Sequence, residues 1–356
     1  MSSVASELDI VIGVDTHKDA HVAVALSTLG ARLSQFEFPT TAGGLVSALQ
    51  WASTQGRVIA WGVEGTGSWG AGLARLLMTQ GELVLEINRP DRRTRRLLGG
   101  KSDPIDAEAA ARMVLAGHGL VTPKTGDGLI ESIRLVRSTR SSAVKARTAA
   151  WNQLRSHLVT APTQLRDELE TLTPAPLLRR CTGFRPVGDR PLDQTKRILR
   201  GLARRIQTLN HEVRDLTNDL HRLTQAAAPD LLAEHGVGPD TAAALLIAAG
   251  DNPERLHSEA AFAALCGSNP IPASSGKTDR HRLNRGGDRQ ANAALHRIII
   301  VRLKSHPETR SYMAAHLNPN ASNKKHVMRC LKRYLARRLY PHIINAAAAN
   351  QLPAAA

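Results

Sequence analysis

Residues 9–15 read DIVIGVD, an apolar run closed by an aspartate at each end. Four β-branched side chains around one glycine suit a strand buried on both faces. A carboxylate at the end of such a strand is costly unless it is hydrogen-bonded or holds a metal, so Asp15 is a candidate site residue at once. Outward from this stretch, 21–27 (HVAVALS) and 32–39 read as its meander partners, and 43–53 has helical spacing. Residues 58–65 (VIAWGVEG) form another apolar strand, with Glu64 placed at its end as Asp15 is at the end of the first. A helix over 68–80, a strand at 83–88 (LVLEIN) and an Ala-rich helix at 103–116 follow.

Three strands, then helix, strand, helix, strand, helix is the order of the ribonuclease-H-like fold; a simple doubly wound domain would not open with three consecutive strands. In that order the first and fourth strands are adjacent, which makes Asp15 and Glu64 neighbours. Asp103 and Asp106, in KSDPIDAEAAAR, stand three apart at a helix start with Pro104 in the first turn, so they share a face. Four converging carboxylates repel one another, and divalent cations relieve the repulsion. Mg²⁺ suits carboxylate oxygens and water, and two such ions roughly 3.5–4 Å apart stabilise the attacking and leaving oxygens of phosphodiester cleavage. Each acid alone has a plainer reading: a turn cap for Asp15, an arginine partner for Glu64, an N-cap for Asp103, a solvated first-turn acid for Asp106. The ordered set outweighs these. His17, Lys18 and His21 are read as shaping the turn after the first strand and are left out of the site.

The chain has 356 residues and a formal charge of +16, which calls for a polyanionic partner, nucleic acid first. Residues 1–100 carry nine basic and nine acidic side chains, whereas 276–340 carry sixteen basic and three acidic. The polyanion-binding surface is therefore expected in the last quarter. An apolar content of 42% excludes wholesale disorder, and 3% aromatics argue against a carbohydrate-binding or antibody-like surface. Cys181, Cys266 and Cys330 are too scattered for a disulfide framework or a zinc site. No apolar run approaches the ~18 residues of a membrane span, and no signal-peptide pattern opens the chain. A cytoplasmic protein without membrane association is expected.

The middle reads as helical. Residues 129–160 form one long helix, and prolines 162, 174, 176, 186 and 191 mark a turn region or irregular excursion. From Ile198 the apolar positions run Leu202, Ile206, Leu209, Val213, Leu216, Leu220 and Leu223, close to a heptad seam. That seam fits a coiled-coil arm, either as a dimer interface or as an intramolecular hairpin. Beyond it, 235–250 (HGVGPDTAAALLIAAG) has the form of a helix-hairpin-helix, in which Gly236 and Gly238 offer backbone N–H groups to phosphate; an ordinary glycine turn is the alternative. A helix at 258–267 is followed by the polar, basic, Gly-rich stretch 268–288 (SNPIPASSGKTDRHRLNRGGD), whose length and composition mark it as disordered or functional. Helices resume at 292–305 and 324–345, and 346–356 is a flexible Ala-rich tail.

GVDTHKDAHVAVAL, VEGTG and KSDPIDAEAAAR closely resemble the RuvC-like DEDD domain of bacterial transposases of insertion-sequence family 110. GVGPDTAAALLIAAGD and FAALCGSNPIPASSGKTDRHRLNRGGDRQANAALH resemble that family's C-terminal transposase domain. The likeness runs in order over almost the whole chain; only the helical middle matches by type alone. It implies a site-specific DNA recombinase that moves an element through circular intermediates, guided by a structured bridge RNA that pairs with donor and target DNA. By position, Asp15, Glu64, Asp103 and Asp106 match the DEDD tetrad, with Mg²⁺ or Mn²⁺ as the implied metal. The family's nucleophilic serine precedes a glycine, here Ser275 before Gly276, with Ser274 as the alternative. Lys277, Arg280, Arg282, Arg285 and Arg289 stand where they could clamp the scissile backbone. The resemblance further implies a bacterial protein, on the nucleoid when DNA-bound, acting as a homo-oligomer: a dimer, or a tetramer on paired DNAs.

The expected division is a RuvC-like catalytic domain over 1–125, a helical coiled-coil region over 126–228, a C-terminal transposase domain over 229–345 and the tail. In fold class this is α/β followed by all-α. Two other readings compete. An actin-like sugar kinase or ATPase would explain GVDTH, but a second phosphate loop is not recognisable and the basic C-terminal part would have no use. A nucleic-acid-binding protein with an inactive RuvC-like domain is disfavoured because all four acids and the Ser-Gly pair are present.

Overall fold

The structure, a computed structural model, describes residues 8–87, 102–117, 120–274, 276, 281–318 and 323–349. The chain divides into two compact units, Met1–Gly128 with Gly250–His257, and Leu129–Ala249 with Ser258–Ala356. The expected middle and C-terminal regions share the second unit, and the short segment after Ala249 returns to the first: Asn252 Nδ2 donates to the Pro123 carbonyl (3.0 Å) and Arg255 Nε to that of Thr122 (2.7 Å).

The first unit is built on β1 (Asp9–Thr16), β2 (Ala20–Ser27), β3 (Arg32–Pro39), β4 (Arg57–Glu64), β5 (Val84–Ile87) and β6 (Leu120–Val121). Their order in the sheet is β3-β2-β1-β4-β5-β6. The first three form an antiparallel meander, β1–β4 and β4–β5 pair in parallel, and β6 is antiparallel to β5. This is the mixed sheet of the RuvC-like fold, and the sequence order alone anticipates it except for β6. Strand period two sorts the core into two layers. Ile10, Ile12 and Val14 face α1 (Ala42–Gln55) and α2 (Ala71–Thr79), in one cluster with Phe38, Trp61 and Leu77. Val11 faces the other way, in a cluster with Val22, Val24, Leu26 and with Ala107 and Ala111 of α3 (Asp103–Ala116).

Helix α3 reaches the sheet closely because both surfaces are small. A Cβ added to Gly13 would stand 2.0 Å from the Ala107 carbonyl oxygen, and one added to Gly62 would stand 2.6 Å from Val114. Glycine on the strands and alanine on the helix thus set the interaxial distance. Left-handed Gly117 (φ 65°) ends the helix.

In the second unit, α4 (Leu129–Val159) and α7 (Pro191–Ala227) pack along each other. Arg140 donates to Thr217 and Arg147 to Asn210, so seven residues up one helix matches seven down the other: an antiparallel hairpin. The prolines between them do not make an irregular excursion. Residues of this stretch form α5 (Thr163–Glu170) and α6 (Pro174–Thr182), with Pro174 and Pro191 in first turns, where a missing N–H costs nothing. Leu165, Leu169, Leu177 and Leu178 close the hairpin's end over Leu154 and Leu199. Of the heptad positions, Leu202, Ile206, Val213 and Leu220 are buried, Leu209, Leu216 and Leu223 half-buried, and Ile198 exposed.

The rest of that unit comprises α8 (Pro229–Ala233), α9 (Pro239–Ala249), α10 (Glu259–Leu265), the hairpin β7 (Pro270–Pro272) and β8 (His281–Leu283), then α11 (Arg289–Ser305), α12 (Pro307–His316) and α13 (Lys324–Ala349). The hairpin and α12 were not legible in the sequence. No described helix is long and apolar enough to cross a membrane.

Candidate active site

Asp15, Glu64 and Asp106 are buried polar residues at 7%, 8% and 5% exposure, an expensive state for three carboxyl groups. The backbone brings them together. Val14 lies opposite Val63 in the parallel β1–β4 ladder, which puts Asp15 and Glu64 at matching strand ends. Asp15 follows Val11 and Gly13 on the face that α3 covers, and Glu64 follows Gly62 on that face. Thr16 stitches the two ends, its hydroxyl donating to the Glu64 carbonyl at 2.8 Å. Helix α3 begins there, with Asp103 and Asp106 in its first turn, and the Ser102 side chain at the N-cap accepts no capping N–H.

The electrostatics agree. Burial pushes the Asp15 carboxyl above the usual carboxylate range; the neighbouring His17 opposes this, and the charges of Glu64, Asp106 and Asp103 add to it. All four acids therefore act on one locus. His17 Nε2 lies 3.1 Å from Asp15 Oδ2 and 3.3 Å from Asp103 Oδ1. Ligand atoms of Asp15, His17 and Asp103 lie within 4.8 Å of one another, in reach of a single ion.

His17 is the residue that sequence reasoning set aside. Period-two spacing from Asp15 was the available signal, but whether His17 turns toward the acids depends on the loop beyond β1. His21 does shape that turn: it is buried, and its Nδ1 accepts the His17 N–H at 3.3 Å. The donor set fits a divalent cation, being mainly hard carboxylate oxygens whose mutual repulsion a cation would cancel. Asp15, Glu64, Asp103 and Asp106 would hold it, with His17 alongside.

In the second unit, Ser275, Lys277 and Arg280 lie outside the described residues. They belong to the connection between β7 and β8, of which Ser274 is exposed and Gly276 takes left-handed φ of 57°. Arg282, Arg285 and Arg289 are exposed. The base of this hairpin is firmly built. Asn284 Nδ2 donates to the Ala264 carbonyl and Asn269 Oδ1, and Asn292 Nδ2 to the carbonyls of Cys266 and Gly267. Asp288 caps α11 by accepting from the N–H groups of Gln290 and Ala291.

The Gly236–Gly238 turn is not the open phosphate cradle that the sequence suggested. Gly236 (φ 85°) packs on α11, where a Cβ would stand 3.1 Å from the Ile298 carbonyl oxygen, and the Gly238 N–H is taken by the Thr241 hydroxyl at 3.0 Å. Asp240, in the first turn of α9, meets Arg137, Arg140 and Arg297 at 3.3, 3.6 and 2.8 Å.

Two family models match the chain, one described as DEDD_Tnp_IS110, transposase, over residues 12–161, and one as the transposase IS116/IS110/IS902 family over residues 230–314. No curated relative matches. The sheet order, the acid set and these matches define a DEDD transposase, an enzyme that cleaves and rejoins DNA and uses divalent metal. The chain belongs to the IS110 family of transposases.

Proposed function

We propose that this transposase is a site-specific recombinase guided by a structured bridge RNA, with Ser275 as nucleophile and Mg²⁺ as the metal held by Asp15, Glu64, Asp103 and Asp106. The observation that carries the metal half is the burial of Asp15 among three further acids drawn from β4 and α3. A metal there would lower the pKa of a bound hydroxyl and neutralise charge building on the phosphate. In the step itself the Ser275 hydroxyl gives up its proton as its oxygen bonds to phosphorus, one phosphorus–oxygen bond to a sugar breaks, and the departing sugar oxygen takes up a proton. Attack by an incoming sugar hydroxyl reverses this and restores the serine, so rejoining needs no ATP. Unlike water, a serine keeps the phosphodiester energy in the covalent adduct, and this is what a Ser-Gly loop adds to a metal nuclease.

Strand exchange joins paired DNAs and so needs at least two active sites, which supports a homo-oligomer. Trapping on a nicked suicide substrate with Mg²⁺ and guide RNA, followed by peptide mapping, tests the mechanism. The adduct is expected on Ser275; Ser275→Ala should lose adduct and recombination while retaining guide RNA. An adduct on Ser274 would move the role by one residue. Cleavage by the wild type without any adduct would show that water is the nucleophile and refute the reading.

A further inference from the structure

The β7–β8 hairpin and α13 enclose a cavity of about 210 Å³ whose wall combines three cations, Arg282, Arg329 and Lys332, with the apolar bodies of Leu283 and Tyr334. The two apolar side chains are about half exposed, at 48% and 52%. Arg333 also borders the cavity, but its guanidinium is held by Glu259, whose carboxyl it pushes down to about 2. Among the described residues, Arg282 and Arg329 have no acidic partner. Lys332 donates to a neutral acceptor, Asn292 Oδ1 at 2.8 Å. That asparagine is the one anchored to the Cys266 and Gly267 carbonyls, so the ammonium is fixed to the base of the hairpin.

Three cations at one concavity, without an acidic partner among the described residues, repel one another. Burial lowers the Lys332 pKa, and the charge of Arg329 lowers it further. An anion in the cavity would relieve this, and guanidinium groups recognise phosphate through paired N–H donors. A bare phosphate would leave Leu283 and Tyr334 facing water, whereas a nucleotide would cover them with its base.

We infer that this cavity is a nucleotide subsite, in which Arg282, Arg329 and Lys332 hold a backbone phosphate of a DNA strand and Leu283 and Tyr334 take the adjoining base. The hairpin that lines the cavity brackets Ser275 in sequence, so the bound nucleotide belongs to the strand that is cut; this assignment, unlike the binding itself, rests on the serine reading above. Its role is to fix the strand's position along its axis, which a clamp of exposed arginines alone would leave free to slide.

The test uses the full chain and fluorescence anisotropy with a labelled deoxytrinucleotide, the same probe with an abasic centre, and a ribotrinucleotide. Arg329→Ala, on an exposed helix position, should weaken the intact probe about tenfold, as the loss of a charge-assisted contact does; Arg282→Ala should do the same from the other wall. Removing the base should cost a similar factor, and Leu283→Ser should erase the difference between intact and abasic probes. Arg310→Ala, exposed and outside the cavity, is the control. Unchanged affinity in both arginine variants, an abasic probe bound as tightly as the intact one, or tenfold preference for the ribotrinucleotide would each overturn the inference. Ser275→Ala should bind the probe as the wild type does. Probe binding without a Ser275 adduct would refute only the serine mechanism; an adduct without specific probe binding would refute only the subsite.

Discussion

Gly13→Ala tests how the site is assembled without touching any acid. The new methyl would stand 2.0 Å from the Ala107 carbonyl oxygen, 2.3 Å from the Ala111 nitrogen and 2.9 Å from the Ala111 Cβ. Two of these are backbone atoms of α3, which no rotamer change can move, so the helix must shift by about an ångström to restore ordinary contact. We expect a cost of about 3 kcal/mol, the upper end of overpacking penalties. For a unit of this size that is a fall in Tm of roughly 6–12 °C. Because the helix carries Asp103 and Asp106 at its start, its displacement should also loosen metal binding. Gly43→Ala is the matched control: it lies in α1, its Cβ would meet nothing within 4 Å, and it should be neutral or stabilising by up to about 1 kcal/mol. Thermal unfolding and Mn²⁺ titration by electron paramagnetic resonance read the two consequences. If Gly13→Ala melts with the wild type and binds Mn²⁺ equally, the close approach of α3 does not set the acid geometry.

The Asp15 carboxyl titrates above its unfolded value because burial and its acidic neighbours disfavour the charge. Its contribution to stability is therefore most favourable below the unfolded pKa and is lost as pH rises through the raised folded value. At neutral pH without metal, Asp15→Asn should melt higher than the wild type, and should gain less from Mg²⁺, which adds about 2.7 kcal/mol at a hundredfold excess over Kd when it binds the folded state alone; a lower Tm, or an undiminished Mg²⁺ effect, would contradict the assigned environment. On duplex DNA, contact with about 8 phosphates gives a slope of log K against log salt near −7, and a salt-insensitive affinity would remove the basic surface at 276–340 from the interface. Leu209→Glu with Leu216→Glu, on the half-buried line of α7, should reduce the mass seen by light scattering; an unchanged mass means that the hairpin accounts for the whole seam.

Local pattern determined most of the first unit. Strand period, the three-strand opening and the spacing of Asp103 from Asp106 name the sheet, its order and the tetrad, because burial on both faces leaves a strand few alternatives in composition or register. The helix at 103–116 is legible to the residue, since its Asp-Pro start and glycine stop are local signals. The same local reading took the prolines between α4 and α7 as a turn region or an irregular excursion; Pro162 and Pro186 lie in connections, but Pro174 and Pro191 open helices, because a proline opens a helix as readily as it breaks one and only the neighbouring apolar surface decides which. Tertiary structure alone decided three further things. The heptad seam could pair within or between chains, and the long helix at 129–159 already covers half of it. A Gly-x-Gly turn can present its N–H groups to a ligand or to its own fold, and here Thr241 takes the Gly238 N–H while Gly236 packs against α11. His17 and Lys332 gain their surroundings from residues 86 and 40 positions away, Asp103 and Asn292. A side chain's partners across such distances are set by packing, which sequence spacing does not encode.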